Sequence, residues 1–154
     1  MKVTSTLSIE IERPPSEVFV YATDPRNLPA WSPAVVEGHW TTEPPVRVGS
    51  RGVEIAAMRD RRVESIFEVA EYAPGRVFGL TFPQHPLQPA IDVRTWMWFE
   101  PSRRGTKLTV RSYYEATGGQ GFFLPLTSRI MKGQARRHLA LLKLAIEEGP
   151  QTQA

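Results

Sequence analysis

The sequence of 154 residues contains no cysteine. Disulfide bonds, thiolate nucleophiles and cysteine-ligated metals are therefore excluded. Histidine is also scarce, and the three histidines lie far apart in the chain: His39, His85 and His138. Because a zinc site needs three or four converging ligands, usually at short spacings, we expect neither a metal nor a cofactor.

Long apolar runs and a strong charge of one sign are lacking too. No apolar run approaches the roughly 18 residues of a membrane span. The first residues alternate polar and apolar side chains, which predicts a strand rather than a signal peptide, so we expect a cytoplasmic protein. Lys plus Arg is 19 and Asp plus Glu is 16, a net charge of +3. The arginines are scattered without a recognition motif, so no nucleic-acid partner is expected.

The segment 122–148 carries the clearest periodic pattern. Its apolar side chains recur at spacings of three and four residues: Met131, Ala135, Leu139, Leu142 and Ile146. This spacing predicts an amphipathic helix. Proline is tolerated only in a first turn, so the helix begins near Pro125, and Gly149 followed by Pro150 ends it. Residues 150–154 are predicted to be a disordered tail.

Upstream of this helix the chain mostly alternates with a period of two, which is typical of half-buried strands. The first strand ends before Pro14, and two short helices follow. Ser16 is expected to cap the first of them, and Asp24 begins the second. Turn residues then separate six further strands, which short connections make antiparallel. The predicted fold is therefore α+β, a single domain over residues 1–149.

Several stretches resemble a known superfamily. IERPPSEVFVYATDPRNLPAWSP, VAEYAPGR, WFEPSRRGTKLTV and the terminal helix are similar to SRPBCC proteins, also called START/Bet v 1-like or helix-grip proteins. The similarity is greatest to the bacterial polyketide cyclase/dehydrase-like branch and covers nearly the whole chain. It implies a curved seven-stranded antiparallel sheet that grips the C-terminal helix around a large, mostly apolar cavity. Superfamily members share no catalytic residue set, so the resemblance implies no particular ligand.

Strand parity predicts which side chains face such a cavity. A one-residue slip would turn Asp92, Arg94, Trp96 and Trp98 inward instead of their neighbours. The short-helix corner, the final helix and an apolar cluster around Pro125, which either gates or plugs the cavity, add further candidates. The predicted ligand-binding residues are Trp31, Phe67, Phe78, Leu80, Phe82, Thr95, Met97, Ser112, Tyr114, Phe123, Ile130, Met131 and His138.

Candidates for acid/base chemistry are few. Tyr114 offers a hydroxyl inside the predicted cavity, His85 lies in a proline-rich loop at its rim, and Arg94 is a further candidate. Four carboxylates lie on neighbouring strands, Glu54, Glu64, Glu68 and Glu71, and parity turns most of them to solvent. The sequence therefore predicts no catalytic carboxylate pair.

Three functions remain open from the sequence. The protein could carry or sense a hydrophobic small molecule, such as a polyketide, a lipid or another polycyclic or acyl compound. It could be a cyclase or dehydratase acting on a polyketide-like substrate, with one acid/base group in a dry pocket. It could also be an interaction module or homodimer that uses Trp96 and Trp98 on the outer face of the sheet.

Overall fold

Seven strands and one long helix make up most of the fold. The structure is a computed structural model and describes residues 2–83, 91–116 and 124–149. The elements follow the predicted order: β1 (Lys2–Ile11), α1 (Pro15–Ala22), a 3-10 turn (Pro25–Asn27), α2 (Leu28–Trp31), β2 (Val35–Trp40), β3 (Arg51–Met58), β4 (Arg61–Ala73), β5 (Val77–Phe82), β6 (Ile91–Ser102), β7 (Gly105–Ala116) and α3 (Leu124–Glu148). The predictions for His85, for Phe122 and Phe123 and for the tail 150–154 lie outside the described residues.

The strands form one antiparallel sheet in the order β1-β7-β6-β5-β4-β3-β2. Each strand from β2 to β6 pairs with the strand that follows it in the chain. Strand β1 pairs with β7 at the edge of the sheet, from Lys2 opposite Glu115 to Ile11 opposite Thr106. Helix α3 packs against β1, β7 and α2. This arrangement confirms the predicted helix-grip fold.

The predicted strand parity is confirmed on β4, β6 and β7. Phe67 and Val69 on β4, Met97 and Phe99 on β6, and Leu108 on β7 are buried. Because neighbouring antiparallel strands place directly paired residues on the same face, these side chains form one continuous inner surface. Leu139, Leu142 and Ile146 of α3 and two side chains of α1, Val18 and Phe19, complete this core.

The first short helix begins differently from the prediction. Helix α1 starts at Pro15 with Pro14 at the N-cap, and no side chain caps it, so the expected capping role of Ser16 is wrong. Proline suits the first helical position because its φ is already helical and its missing N–H would have no partner there. Asp24 does cap the following turn, accepting a 3.0 Å hydrogen bond from the Arg26 backbone N–H.

The C-terminal end of α3 is joined to the edge of the sheet by polar contacts. Lys143 Nζ donates to the Glu10 carbonyl at 2.8 Å, and Arg13 donates to the Glu147 carbonyl at 2.7 Å. The Glu12 backbone N–H donates to the Glu147 carboxylate at 2.8 Å. Although α3 has 25 residues, no helix in the described parts of the chain combines the length and apolar character needed to cross a membrane.

Candidate functional site

The space enclosed by the sheet, the short helices and α3 is hollow. It consists of two adjoining chambers of about 660 Å³ and about 280 Å³. The larger chamber lies between β3, β6, β7 and α3, and its lining includes Ala56, Val93, Thr127 and Gln134. The smaller chamber lies under the short helices and against β4, β5 and β6. Most side chains around both chambers are apolar.

The two chambers share four lining residues, which we call the waist: Ser32, Glu54, Phe82 and Thr95. Three of the four carry a polar group. The waist is therefore where an otherwise apolar cavity could orient a molecule by hydrogen bonds.

The structure places most of the predicted ligand-binding residues around the cavity. The smaller chamber is lined by Trp31, Phe67, Phe78, Leu80, Met97 and His138, the larger by Tyr114, Ile130 and Met131, and both by Phe82 and Thr95. Ser112 lines neither chamber, but its hydroxyl lies 3.3 Å from that of Thr95. Phe123 is outside the described residues. That these residues bind a ligand stays a prediction.

Arg94 does not belong to the cavity. It is exposed on the opposite face of β6, where it forms ion pairs with Asp92 at 3.8 Å and with Glu115 at 3.7 Å. Alternation along β6 points Thr95 inward and therefore Arg94 outward. At this position Arg94 cannot contact a molecule in the cavity, which removes it as a candidate acid/base group.

The outer tryptophans are covered by neighbouring side chains. Trp96 Nε1 donates to Glu71 Oε1 at 2.6 Å, and its ring meets Tyr113 edge-on with centroids 6.2 Å apart. Trp98 lies under the Arg111 guanidinium at 5.6 Å. Both tryptophans are half-buried, so the exposed aromatic patch that motivated the dimer hypothesis is not present.

Glu54 is the residue that sequence reasoning missed. Parity was expected to turn most of the strand carboxylates to solvent, and Glu54, which lines both chambers, is the exception. Burial raises the pKa of its carboxyl from 4.5 to about 6. A carboxyl with a perturbed pKa inside a cleft is a recognised feature of functional sites.

The register of the β3–β4 hairpin explains why Glu54 faces inward. Glu54 pairs with Ser65, and Gly52 pairs with Phe67. The Phe67 ring lies so close over Gly52 that a Cβ there would come within 2.3 Å of it. Directly paired residues lie on the same face, so Glu54 shares the buried face of Ser65 and Phe67.

A signal for this placement exists in the sequence. The turn between β3 and β4 consists of two residues, Arg59 and Asp60. A turn of this length pairs Met58 with Arg61. Counting back from that pair brings Glu54 opposite Ser65. Taken alone, the alternation of Val53 and Ile55 would place these apolar side chains inside and Glu54 outside. The hairpin register decides the orientation of Glu54 instead.

A chain of hydroxyl groups lies beside the waist. The Thr95 hydroxyl is 3.3 Å from that of Ser112, and Ser112 in turn hydrogen-bonds the Tyr114 hydroxyl. Burial raises the pKa of Tyr114, and the hydrogen bond from Ser112 opposes that rise. Tyr114 therefore stays protonated at neutral pH and can donate or accept a hydrogen bond in the larger chamber.

The smaller chamber has two further polar groups. Burial lowers the pKa of His138, and the nearby charge of Arg137 lowers it further, which favours the neutral imidazole. Trp31 Nε1 is buried without a hydrogen-bond partner among the described residues. In the same parts of the chain, no three His, Asp or Glu side chains converge as a metal site would require.

An antiparallel sheet that grips a C-terminal helix around a hollow, mostly apolar interior defines a helix-grip protein with a cavity of ligand size. Residues 2–147 match the family described as "Polyketide cyclase / dehydrase and lipid transport", and the chain belongs to that family. The predicted resemblance to the polyketide cyclase-like branch of the SRPBCC superfamily is thereby confirmed. None of the curated protein sequences compared with the chain matches it.

Solved structures share the fold at low sequence identity. TTHA0849 from Thermus thermophilus is 18% identical, with coverage of 98% of this chain and 100% of that one and a TM-score of 0.74. Ara h 8.0201 is 11% identical, with coverage of 97% and 100% and a TM-score of 0.76. The di-domain ARO/CYC StfQ from the steffimycin biosynthetic pathway is 16% identical, with coverage of 96% and 51% and a TM-score of 0.72. At these identities the likeness shows the fold alone.

Proposed function

We propose that this protein binds a mostly apolar small molecule, such as a polyketide, a lipid or another polycyclic or acyl compound, between the sheet and α3. The observation that supports this function is the pair of adjoining chambers of about 660 Å³ and about 280 Å³. Small-molecule sites typically have volumes of roughly 300–1,000 Å³, with apolar walls and a few polar groups. The family description, which names polyketide chemistry and lipid transport, supports the same reading.

The energetics of the hollow also support binding. Protein interiors are normally packed as densely as organic crystals, and side chains that line a void lose contacts on one side. A protein that leaves so large a space next to its core forgoes that packing. An apolar ligand would restore the missing contacts and remove its own apolar surface from water.

The first experiment asks what the purified protein carries. Denaturation in organic solvent, followed by mass spectrometry, identifies a ligand that remains bound through purification. A recovered polycyclic or acyl compound would support the proposal and name a chemical class.

A second experiment tests the cavity directly with the neutral fluorescent probe N-phenyl-naphthylamine. Ala56 lines the larger chamber, whereas its neighbour Ala57 is exposed. Ala56→Phe fills the chamber, so we expect probe affinity to fall at least about tenfold, while Ala57→Phe leaves it unchanged. Equal probe binding by the wild type and both variants would contradict a binding cavity at this place.

A second candidate function is a cyclase or dehydratase acting on a polyketide-like substrate. The observation that favours it is the Glu54 carboxyl, which lines the same chamber as Tyr114 and has a pKa raised to about 6 by burial. A positioned carboxyl with a pKa near the working pH suits proton transfer. His85 stays a candidate outside the described residues.

Turnover of a linear poly-β-ketone thioester would test the enzyme hypothesis. Glu54→Gln and Tyr114→Phe should each reduce cyclised or dehydrated product at least about a hundredfold if the group transfers a proton. Glu64→Gln, which removes an exposed carboxylate from β4, is the matched control. Unchanged turnover in Glu54→Gln would remove that residue as the acid/base group.

A further inference from the structure

Glu54 is an unusual carboxylate within this protein. It is the one side chain with a formal charge at neutral pH among the described residues that line the two chambers. Its carboxyl has no hydrogen bond or ion pair with any described residue, and His138 in the smaller chamber does not pair with it. Tyr114 and His138 are the other titratable groups among the described residues that line the chambers.

Other partly buried carboxylates in the structure do have partners. Glu68 pairs with Arg51 at 2.9 Å, and Asp24 pairs with Arg26 at 2.8 Å. An unpaired carboxylate inside an apolar space costs free energy, because it gives up water without receiving a replacement. An apolar residue at position 54 would pack the sheet at lower cost. A role in folding therefore does not account for Glu54, whereas a role towards a bound molecule does.

The chemistry of the waist indicates what that molecule carries. An ionised carboxylate only accepts hydrogen bonds, so it is satisfied by a donor. Anionic groups would face Glu54 in a space of low dielectric constant with no cationic side chain among the described lining residues, which makes their entry unfavourable. A ligand hydroxyl and a ligand ammonium can each donate a hydrogen bond to Glu54.

We propose that Glu54 selects the ligand of this cavity by charge: it accepts an apolar molecule that presents a hydrogen-bond donor, hydroxyl or amine, at the waist, and it rejects one that carries an anion there. The inference rests on the proposed binding function and deepens it. Repulsion between like charges is a common means by which a site discriminates against the wrong ligand. Burial also raises the pKa of this carboxyl, which is consistent with this role.

The test uses four probes with one tricyclic skeleton. Fluorene, fluorenol, aminofluorene and fluorene carboxylate differ only at the central ring carbon, and each is titrated at pH 7.5 as a competitor of N-phenyl-naphthylamine. The proteins are the wild type, Glu54→Gln and the control Glu64→Gln. Glu64 lies on the outer face of β4, so its replacement removes the same charge from outside the cavity.

In the wild type we expect the carboxylate to bind at least about tenfold more weakly than the alcohol. In Glu54→Gln the difference should shrink by at least about threefold, because the repulsion by Glu54 is removed while the cost of desolvating the carboxylate remains, and Glu64→Gln should behave like the wild type. Aminofluorene separates the two donors. Tighter binding of the amine than of the alcohol, lost in Glu54→Gln, would identify an ammonium as the preferred group, and the reverse order would identify a hydroxyl.

The outcomes distinguish the two proposals. A carboxylate-to-alcohol ratio that is the same in the wild type and in Glu54→Gln would overturn selection by Glu54 and leave the binding function intact. Failure of fluorene and N-phenyl-naphthylamine to bind the wild type would overturn both. If Glu54→Gln does not fold, as judged by circular dichroism, Glu54→Met is put through the same series with the same expected loss of discrimination.

Discussion

The two halves of α3 face one sheet, yet they are packed to different extents. In the C-terminal half, Leu139, Leu142 and Ile146 are no more than 5% exposed and belong to the core. In the N-terminal half, Thr127, Met131 and their neighbours form a wall of the larger chamber. Tight packing and a ligand-sized hollow are therefore adjacent along one helix.

The difference comes from what lies opposite each half. Helix α1 contributes Val18 and Phe19 to the core that contains Leu142, so the space beside the C-terminal half is filled. At the other half, Leu124 and Met131 pack against a smaller cluster on β6 and β7, and the residues that line the larger chamber surround open volume. The packed half stabilises the fold, and that stability allows the other half to remain hollow. The predictions below test this division of roles.

The largest effect is expected in the packed half. Leu142 is fully buried, so Leu142→Ala should lower the free energy of unfolding by about 2–5 kcal/mol, through lost transfer free energy and a new cavity. Urea denaturation of purified protein measures the change. Leu144→Ala, on the same helix with a side chain that is 50% exposed, is the control and should change stability by less than about 1 kcal/mol. A loss in Leu142→Ala as small as that in the control would show that the C-terminal half is not tightly packed.

An intermediate effect is expected from Glu54, as a dependence of stability on pH. Its pKa is about 6 in the folded protein against an ordinary 4.5, so the folded state binds more protons between these values. The protonated carboxyl is the favoured form inside the cavity, and stability falls as pH rises through this range. By linkage the loss between pH 4 and pH 7.5 amounts to about 2 kcal/mol.

The measurement is urea denaturation of the wild type and Glu54→Gln at a series of pH values. Glutamine does not titrate, so the stability of the wild type relative to the variant should decrease by that amount as pH rises. His138 and Tyr114 also face the cavity, and the carboxyls of Asp24 and Glu147 have lowered pKa values. All four groups are present in both proteins, and their contributions cancel in the difference. A difference that does not vary with pH would refute burial of an uncompensated carboxyl.

The smallest effect is expected in the hollow half. Met131 is half-buried and already borders open volume, so Met131→Ala enlarges an existing space and creates no new enclosed void. We expect a loss of about 1 kcal/mol in the same urea assay, from apolar area alone. Binding of N-phenyl-naphthylamine should persist. A loss as large as that of Leu142→Ala would mean that both halves of α3 are packed alike.

Local periodicity predicted the elements of this fold because each pattern depends on residues close together in the chain. The three-and-four spacing of Leu139, Leu142 and Ile146 gave the buried stripe of α3, and the alternation of Met97 and Phe99 gave the inner face of β6. The same reasoning placed Phe78 and Leu80 beside the cavity. It misplaced Glu54, because the alternation of Val53 and Ile55 alone would turn Glu54 outward, and only the pairing of β3 with β4 turns it inward.

The sequence by itself determined the order of the elements and most of the inward-facing side chains, since these follow from patterns a few residues long, and its resemblance to a superfamily implied the helix-grip fold. Only the tertiary structure decided which residues share the cavity and which outer side chains are covered. Trp96 is half-buried through Glu71, which lies 25 residues earlier in the chain. The waist likewise joins Ser32, Glu54 and Thr95 from three distant segments. A cavity is the volume that distant elements leave unfilled, and no local pattern of residues records it.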